Sequence, residues 1–163
     1  MNVDAAWALL DTVPDPEVPV LSLRDLGIVR DVLVDGDAVE VVLTPTYSGC
    51  PATEVITQSV LTALAEAGLG TAQVSHRLAP AWTTDWISDA GKEKLLAYGI
   101  APPGPALAPD TAVLHFRPRQ RLLACPRCAS LNTERLSAFG STACKALHRC
   151  LACREPFEHF KPI

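Results

Sequence analysis

Two Cys-x-x-Cys pairs, Cys125-Pro126-Arg127-Cys128 and Cys150-Leu151-Ala152-Cys153, are separated by twenty-one residues in a chain of 163. Each pair can bend into a tight turn that presents two thiolates to one ion. Two such turns brought together by short strands complete a tetrahedral four-sulfur site. The separation is slightly longer than the common range for such sites. A segment of about forty residues has too little core to fold alone, so metal binding would supply its folding free energy. Redox cysteine pairs or buried thiols are the alternative, and two correctly spaced pairs seldom arise from packing. Soft ligands suit iron or an iron–sulfur cluster as well as zinc; zinc is favoured because no ligand position looks open. Cys144 is either a further ligand that exchanges with Cys150 or a small buried residue.

The net charge of −4 conceals a division along the chain. Residues 1–116 hold 5 Lys/Arg against 15 Asp/Glu, whereas residues 117–163 hold 9 against 3. Such asymmetry points to two domains with different partners, or to two that attract each other. Nearly half the residues are hydrophobic, so a packed core is within reach. No stretch approaches the roughly twenty apolar residues of a membrane helix, and the beginning has neither a basic region nor an apolar run of leader length. A soluble protein of the cytoplasm is expected, and in a reducing compartment six cysteines indicate metal or thiol chemistry before disulfides. The basic residues near the cysteines, Arg127, Lys145, Arg149 and Arg154, would offset the −2 charge of four thiolates around a divalent ion.

Ahead of the cysteine pairs the pattern is α+β. A helix is expected over 3–13, with Val3, Trp7 and Leu10 at helical spacing, ending where Val13 meets Pro14. Residues 28–34 and 39–44 read as antiparallel strands around Asp35-Gly36-Asp37, the second alternating through Val39, Val41 and Leu43. A loop through Cys50-Pro51 leads to a helix carrying Val55, Ile56, Val60, Leu61 and Leu64 on one face, with Gly68 as its stop. Residues 72–79 read as a third strand, and Ser88 caps a last helix that carries Leu95 and Tyr98. The Pro/Ala-rich run at 101–120 forms a linker. The domains expected are therefore 1–100, the linker, and 121–163.

Proline is favoured at the first position of a helix, so Pro51 puts Cys50 at the N-cap. There a sulfur would face unpaired amides and the positive end of the helix dipole, which favour thiolate over thiol, while Glu54 would partly oppose them. A structural cysteine tucked under the helix is the equally weighted alternative. Asp15-Pro16-Glu17 sets two carboxylates on a rigid turn, usually a mere exposed loop. Trp82 and Trp86 could form an aromatic wall, though such a pair is more often core or an interface anchor.

Asp15-Pro16-Glu17, Asp25-Leu26-Gly27, the run 46–51 and the Trp82/Trp86 segment together resemble the FSCA domain of SufT-like iron–sulfur assembly factors. The narrower wording of 45–54, 80–86, 139–146 and Glu155-Pro156-Phe157 with Phe160-Lys161 resembles the PaaD (also PaaJ) family over nearly the whole chain. These are small accessory subunits encoded with phenylacetyl-CoA epoxidase. The resemblance implies a two-layer FSCA-like α+β domain followed by a small three-stranded zinc-ribbon-like module. It implies a role in aerobic phenylacetate breakdown, in which a multicomponent oxygenase epoxidises the ring. In that family the di-iron centre lies in another subunit, and electrons come from a separate iron–sulfur flavoprotein. Participation in maturing or inserting an iron or iron–sulfur centre is therefore expected, with the other epoxidase subunits, and possible iron–sulfur assembly machinery, as partners. By position Cys50 would be the functional thiol with Asp15, Glu17 and Thr46 around it, and Cys125, Cys128, Cys150 and Cys153 would hold a structural zinc. Family members end in a further cysteine after Phe-Lys, whereas this chain ends in Pro162-Ile163.

The residues themselves agree with an accessory role. There is no Ser/His/Asp set, no glycine-rich nucleotide loop and no Glu-x-x-His pattern of the kind that builds a di-iron site, and the four histidines are scattered. A closed four-sulfur site gives dioxygen no access to its metal, so the chain is not expected to be an enzyme on its own. A stable structural or electron-transfer subunit is the alternative. A nucleic-acid binder using the basic tail is disfavoured, because an acidic first domain repels phosphate and the tail lacks a row of aromatics.

Overall fold

Val39, Val41 and Leu43 alternate because they form the central strand of a sheet. The computed structural model describes residues 3–47, 49–69, 71–106 and 122–163, and in it β1 (Val29–Asp35) and β2 (Ala38–Leu43) pair antiparallel. Asp35 faces Ala38 across a two-residue turn, and Gly36 there has φ +58°, the backbone that a tight hairpin requires. The three alternating residues are buried to 2 % exposure or less. β3 (Thr71–His76) lies parallel to β2, giving the order β1-β2-β3. A parallel neighbour demands a crossover, and α2 (Ala52–Glu66) supplies it.

Ile56, Val60 and Leu64 recur every fourth residue and form the buried stripe of α2. Val55, expected on this face, is instead exposed. It lies about 100° around the helix from Ile56, beside Ser59 and Thr62. α1 (Val3–Leu10) buries Ala6 and Leu10 and ends short of residue 13. Its chain tightens there, with the amides of Thr12 and Val13 donating to the carbonyls of Leu9 and Leu10.

Contacts divide the chain into two compact units, Met1–Gly91 and Lys92–Ile163, so the division falls within α3 (Asp89–Tyr98) and ahead of the boundary expected after residue 100. Ser88 starts that helix by accepting the Gly91 amide on Oγ at 2.9 Å. In the second unit β5 (Thr133–Ser137), β6 (Lys145–Cys150) and β7 (Pro156–Phe160) form an antiparallel three-stranded meander. β4 (Ile100–Ala101), which straddles the end of the expected first domain and the start of the expected linker at 101, pairs in parallel with β7 as a fourth strand. The rest of the expected linker from residue 107 to 120 lies outside the described residues. One buried cluster of this unit is Ala101, Cys125, Cys150 and Phe157, with Leu123 and Cys153 packed against them. Two of its four buried members are cysteines of the paired motifs, which ties the packing of the unit to its sulfurs.

Candidate functional site

Both Cys-x-x-Cys turns have the same construction. The amide of Cys125 donates to the carbonyl of Ser130 at 2.9 Å, and the amide of Cys150 to that of Glu155 at 3.0 Å, the same five-residue span in each. In each the residue after the second cysteine has a left-handed backbone, Ala129 at φ 58° and Arg154 at φ 69°. Neither residue type advertises that conformation, so no signal in the chain announces it. The Asn132 carbonyl accepts the Leu151 amide at 2.8 Å, and the β5–β6 pairing carries the second turn against the first.

The result is a cluster. The sulfurs of Cys125 and Cys153 are 3.8 Å apart and those of Cys128 and Cys150 are 3.6 Å apart. All four lie within 4.8 Å of one another. A tetrahedron with metal–sulfur bonds of about 2.3 Å has edges of about 3.8 Å, so the spacing suits a four-coordinate ion. Four sulfurs this close cannot all ionise unless a cation shares the charge. The Cys153 amide, the largest influence, helps hold the Cys150 thiol down to about 6. Cys153 is pushed up to about 12: the Glu155 amide favours its thiolate, but burial and the thiols of Cys150, Cys128 and Cys125 outweigh it.

Cys144 lies outside this group. It is buried, with its sulfur 3.0 Å from Thr142 Oγ1 and its carbonyl accepting the Lys161 amide. Two of the basic residues expected to offset the sulfur charge are committed elsewhere, Lys145 to Glu158 at 2.8 Å and Arg149 to Glu134. Backbone N–H groups are a nearer source of compensation, and one is the Cys153 amide, 3.5 Å from the Cys150 sulfur.

In the first unit Pro51 has helical angles, φ −65° and ψ −21°, and itself caps Ala52–Glu66. Cys50 is therefore one position further out than the expected N-cap. Its carbonyl accepts the Thr53 amide at 3.1 Å and its amide donates to the Tyr47 carbonyl, while Gly49 at φ +80° reverses the chain before it. Cys50 is 9 % exposed, near the surface yet largely covered. Thr46 is half-buried in the same loop. Asp15 is buried, and its Oδ2 accepts the amides of Glu17 and Val18 at 3.0 and 2.7 Å, so this carboxylate fixes the turn that carries Glu17. Among the described residues, the four paired cysteines are the group of three or more possible ligands gathered within 4.8 Å; Asp15, Glu17 and Cys50 do not form one.

Trp82 is buried and Trp86 half-buried. The Trp82 indole N–H donates to the Leu26 carbonyl at 3.0 Å, and the Arg30 guanidinium lies 3.6 Å from the Trp86 ring centroid. Gly27 has φ +73°, and a Cβ there would lie 2.4 Å from the Trp86 carbonyl oxygen. Asp25-Leu26-Gly27 and the tryptophan segment are thus two halves of one joint.

Similarity to known proteins follows the same division. Residues 4–76 match the family described as iron-sulfur cluster assembly protein, and residues 110–161 match the PaaD zinc beta ribbon domain. An Escherichia coli (strain K12) protein, provisionally named as one of the subunits of 1,2-phenylacetyl-CoA epoxidase, is 50 % identical over 162 residues, which is 99 % of this chain and 94 % of that one. The chain belongs to the PaaD family. An Fe-S protein maturation auxiliary factor of Porphyromonas gingivalis (strain ATCC BAA-308 / W83) is 34 % identical over 94 residues, 56 % of this chain and 86 % of that one. Among solved structures, the DUF59 domain of unknown function from Bacillus anthracis covers 57 % of this chain and 90 % of its own at a TM-score of 0.54 and 27 % identity. A conserved hypothetical protein of Thermotoga maritima covers 58 % and 94 % at 0.50 and the same identity. The PaaD family fold is thus an assembly-type α+β domain joined to a four-cysteine β module. Among the described residues, none of the helices is long and apolar enough to cross a membrane.

Proposed function

We infer that this PaaD-family chain is an accessory component of a phenylacetyl-CoA ring-epoxidase system in the cytoplasm, and that it assists maturation of an iron or iron–sulfur centre in a partner protein of that system. The observation that carries this reading is the coexistence, in one chain, of an assembly-type domain over residues 4–76 with near full-length similarity to an epoxidase component. A chain of that composition has no need of a catalytic centre of its own. Cys50 is the cargo thiol: it lies at the mouth of α2, 9 % exposed, on a loop reversed at Gly49. Asp15, Glu17 and Thr46 are assigned to the same role: Asp15 fixes the turn that carries Glu17, and Thr46 is on the loop that leads to Cys50. Because these side chains do not converge within one ligand sphere, cargo would be held by few protein ligands and could leave readily. Labile binding is what a carrier requires.

Cys125, Cys128, Cys150 and Cys153 would hold a zinc ion, which would offset the thiolate charge and join the two turns. To test the carrier reading, the epoxidase subunits and their reductase are expressed with wild-type chain or Cys50→Ala, and the iron content of each purified partner is measured. The reading requires a partner poor in iron beside a folded Cys50→Ala chain; full iron in every partner sinks it.

The name of the Escherichia coli relative favours a second reading, a permanent structural or electron-transfer component of the complex. That role requires constant stoichiometry with the other subunits through purification and indifference to Cys50→Ala.

A further inference from the structure

A groove of about 910 Å³ runs along the first unit between the end of α1 and the side of α2 that faces away from the sheet. One wall is apolar, formed by Leu9, Val13 and Pro14. On the other, Val55, Ser59, Thr62 and Glu66 follow one another at helical spacing, and Ser59, Thr62 and Ala63 are small enough to leave the helix surface hollow. Val55, at one end, is 53 % exposed and adds apolar surface to that wall.

The charges of the groove are all of one sign. Among the described residues Glu54 and Glu66 line it, and no Lys, Arg or His does. Neither glutamate has an ion-pair or side-chain hydrogen-bond partner among the described residues. Residues 1–91 carry Arg24, Arg30 and Arg77 against thirteen Asp and Glu, so the surrounding field is negative as well. Glu66 is twelve positions beyond Glu54 on α2, about 18 Å along the axis at 1.5 Å per residue.

We propose that this groove docks a basic amphipathic helix of a partner protein, its apolar face lying against Leu9, Val13 and Val55 and its Lys or Arg side chains reaching Glu54 and Glu66. A helix fits the shape because a hollow stripe on one helix receives the ridge of another. Cations spaced at about 18 Å would meet the two carboxylates together, whereas a neutral or acidic helix would leave both facing apolar surface. The proposal stands apart from whatever Cys50 carries. Cys50 is one turn ahead of Glu54, so a docked segment would lie along the same helix.

The probe is a fluorescein-labelled helical peptide with leucine and alanine on one face and two lysines spaced as Glu54 and Glu66 are. Its twin carries glutamate at both lysine positions. Anisotropy titrations use the full chain. Wild type is expected to bind the lysine peptide at least tenfold more tightly than the twin, Glu54→Lys with Glu66→Lys to reverse that preference, and Thr62→Trp to bind neither. Asp35→Lys with Asp37→Lys makes the same change in net charge at the hairpin tip and is expected to bind like wild type, as is Cys50→Ala. Circular dichroism melts confirm that each variant is folded. Equal loss in the hairpin variant would reduce the effect to overall charge and overturn the proposal. So would equal affinity for the two peptides, or wild type self-associating in sedimentation with only Thr62→Trp monomeric, which would make the occupant a second copy.

Discussion

The Lys145 ammonium meets the Glu158 carboxylate at 2.8 Å, with the lysine side chain 4 % exposed and the glutamate 22 %. Glu158 also accepts the Ser141 amide, and the Gly140 amide donates to the Lys145 carbonyl at 2.7 Å. The pair therefore closes the 138–144 loop onto β6 and β7. A Cβ on Gly140 would lie 2.5 Å from Glu158 Oε1, so a side chain there would push the carboxylate from its place.

Removing either partner should not cost the same. Glu158→Gln leaves an ammonium buried without its counter-ion, and a loss on the order of 3 kcal/mol is expected. Lys145→Met leaves a carboxylate that can turn toward water, and the cost should be smaller. Urea unfolding of the metal-loaded chain gives the order, and equal losses would contradict this account.

Acid should destabilise the same sheet through its histidines. Burial, and then the neighbouring His148, hold His159 down to about 4 from 6.5, and burial with Arg135 lowers His148 as well. As pH falls from 6.5 toward 4, the unfolded chain takes up protons that the folded one refuses, so stability falls over that window and is highest above it. His159 is partly exposed, so its share is on the order of 1–2 kcal/mol after solvent screening. His159→Gln, loaded with the same metal, should show a shallower decline in Tm between pH 7 and pH 5. Parallel declines would remove His159 from the explanation.

Ala129 and Arg154 hold left-handed backbones at matched places in the two turns. Glycine adopts that conformation without the Cβ penalty, so Ala129→Gly and Arg154→Gly should each gain about 0.5–1 kcal/mol in chemical denaturation. Ala129→Val should lose at least as much. A loss with glycine would mean that the turns are held by something other than the hydrogen bonds seen.

Because Cys125 and Cys150 are both buried in one cluster with Ala101 and Phe157, metal removal should act on the second unit alone. Hydrogen exchange after chelation, or in Cys150→Ser, should show amides of β5, β6 and β7 losing protection while those of β1, β2 and β3 keep theirs. Uniform loss, or none, would contradict the division of roles.

Local pattern makes part of this readable from residues alone. The β1–β2 hairpin follows from alternating valines around Asp-Gly, and the sulfur cluster from two motifs whose chemistry leaves few alternatives. What escapes depends on contacts distant in sequence. β4 pairs with β7 across almost sixty residues, and nothing in Ile100-Ala101 announces it. Lys145 looks like compensation for the sulfurs because it is near them in sequence, yet its partner is on another strand. Val55 reads as core because it is apolar, although the helical period places it on the groove side of α2. The tryptophan pair reads as core or an interface anchor more than as an aromatic wall, but its spacing does not tell that Leu26 and Gly27 are what it packs against.

The central claim is that Cys50 handles cargo while the other four sulfurs keep a module folded. Anaerobic purification of wild type and Cys50→Ala, with elemental analysis and a visible spectrum of each, tests it most directly. The account predicts one tightly held zinc in both proteins and labile iron, with its charge-transfer absorption, in wild type alone. Iron retained equally by Cys50→Ala would contradict it.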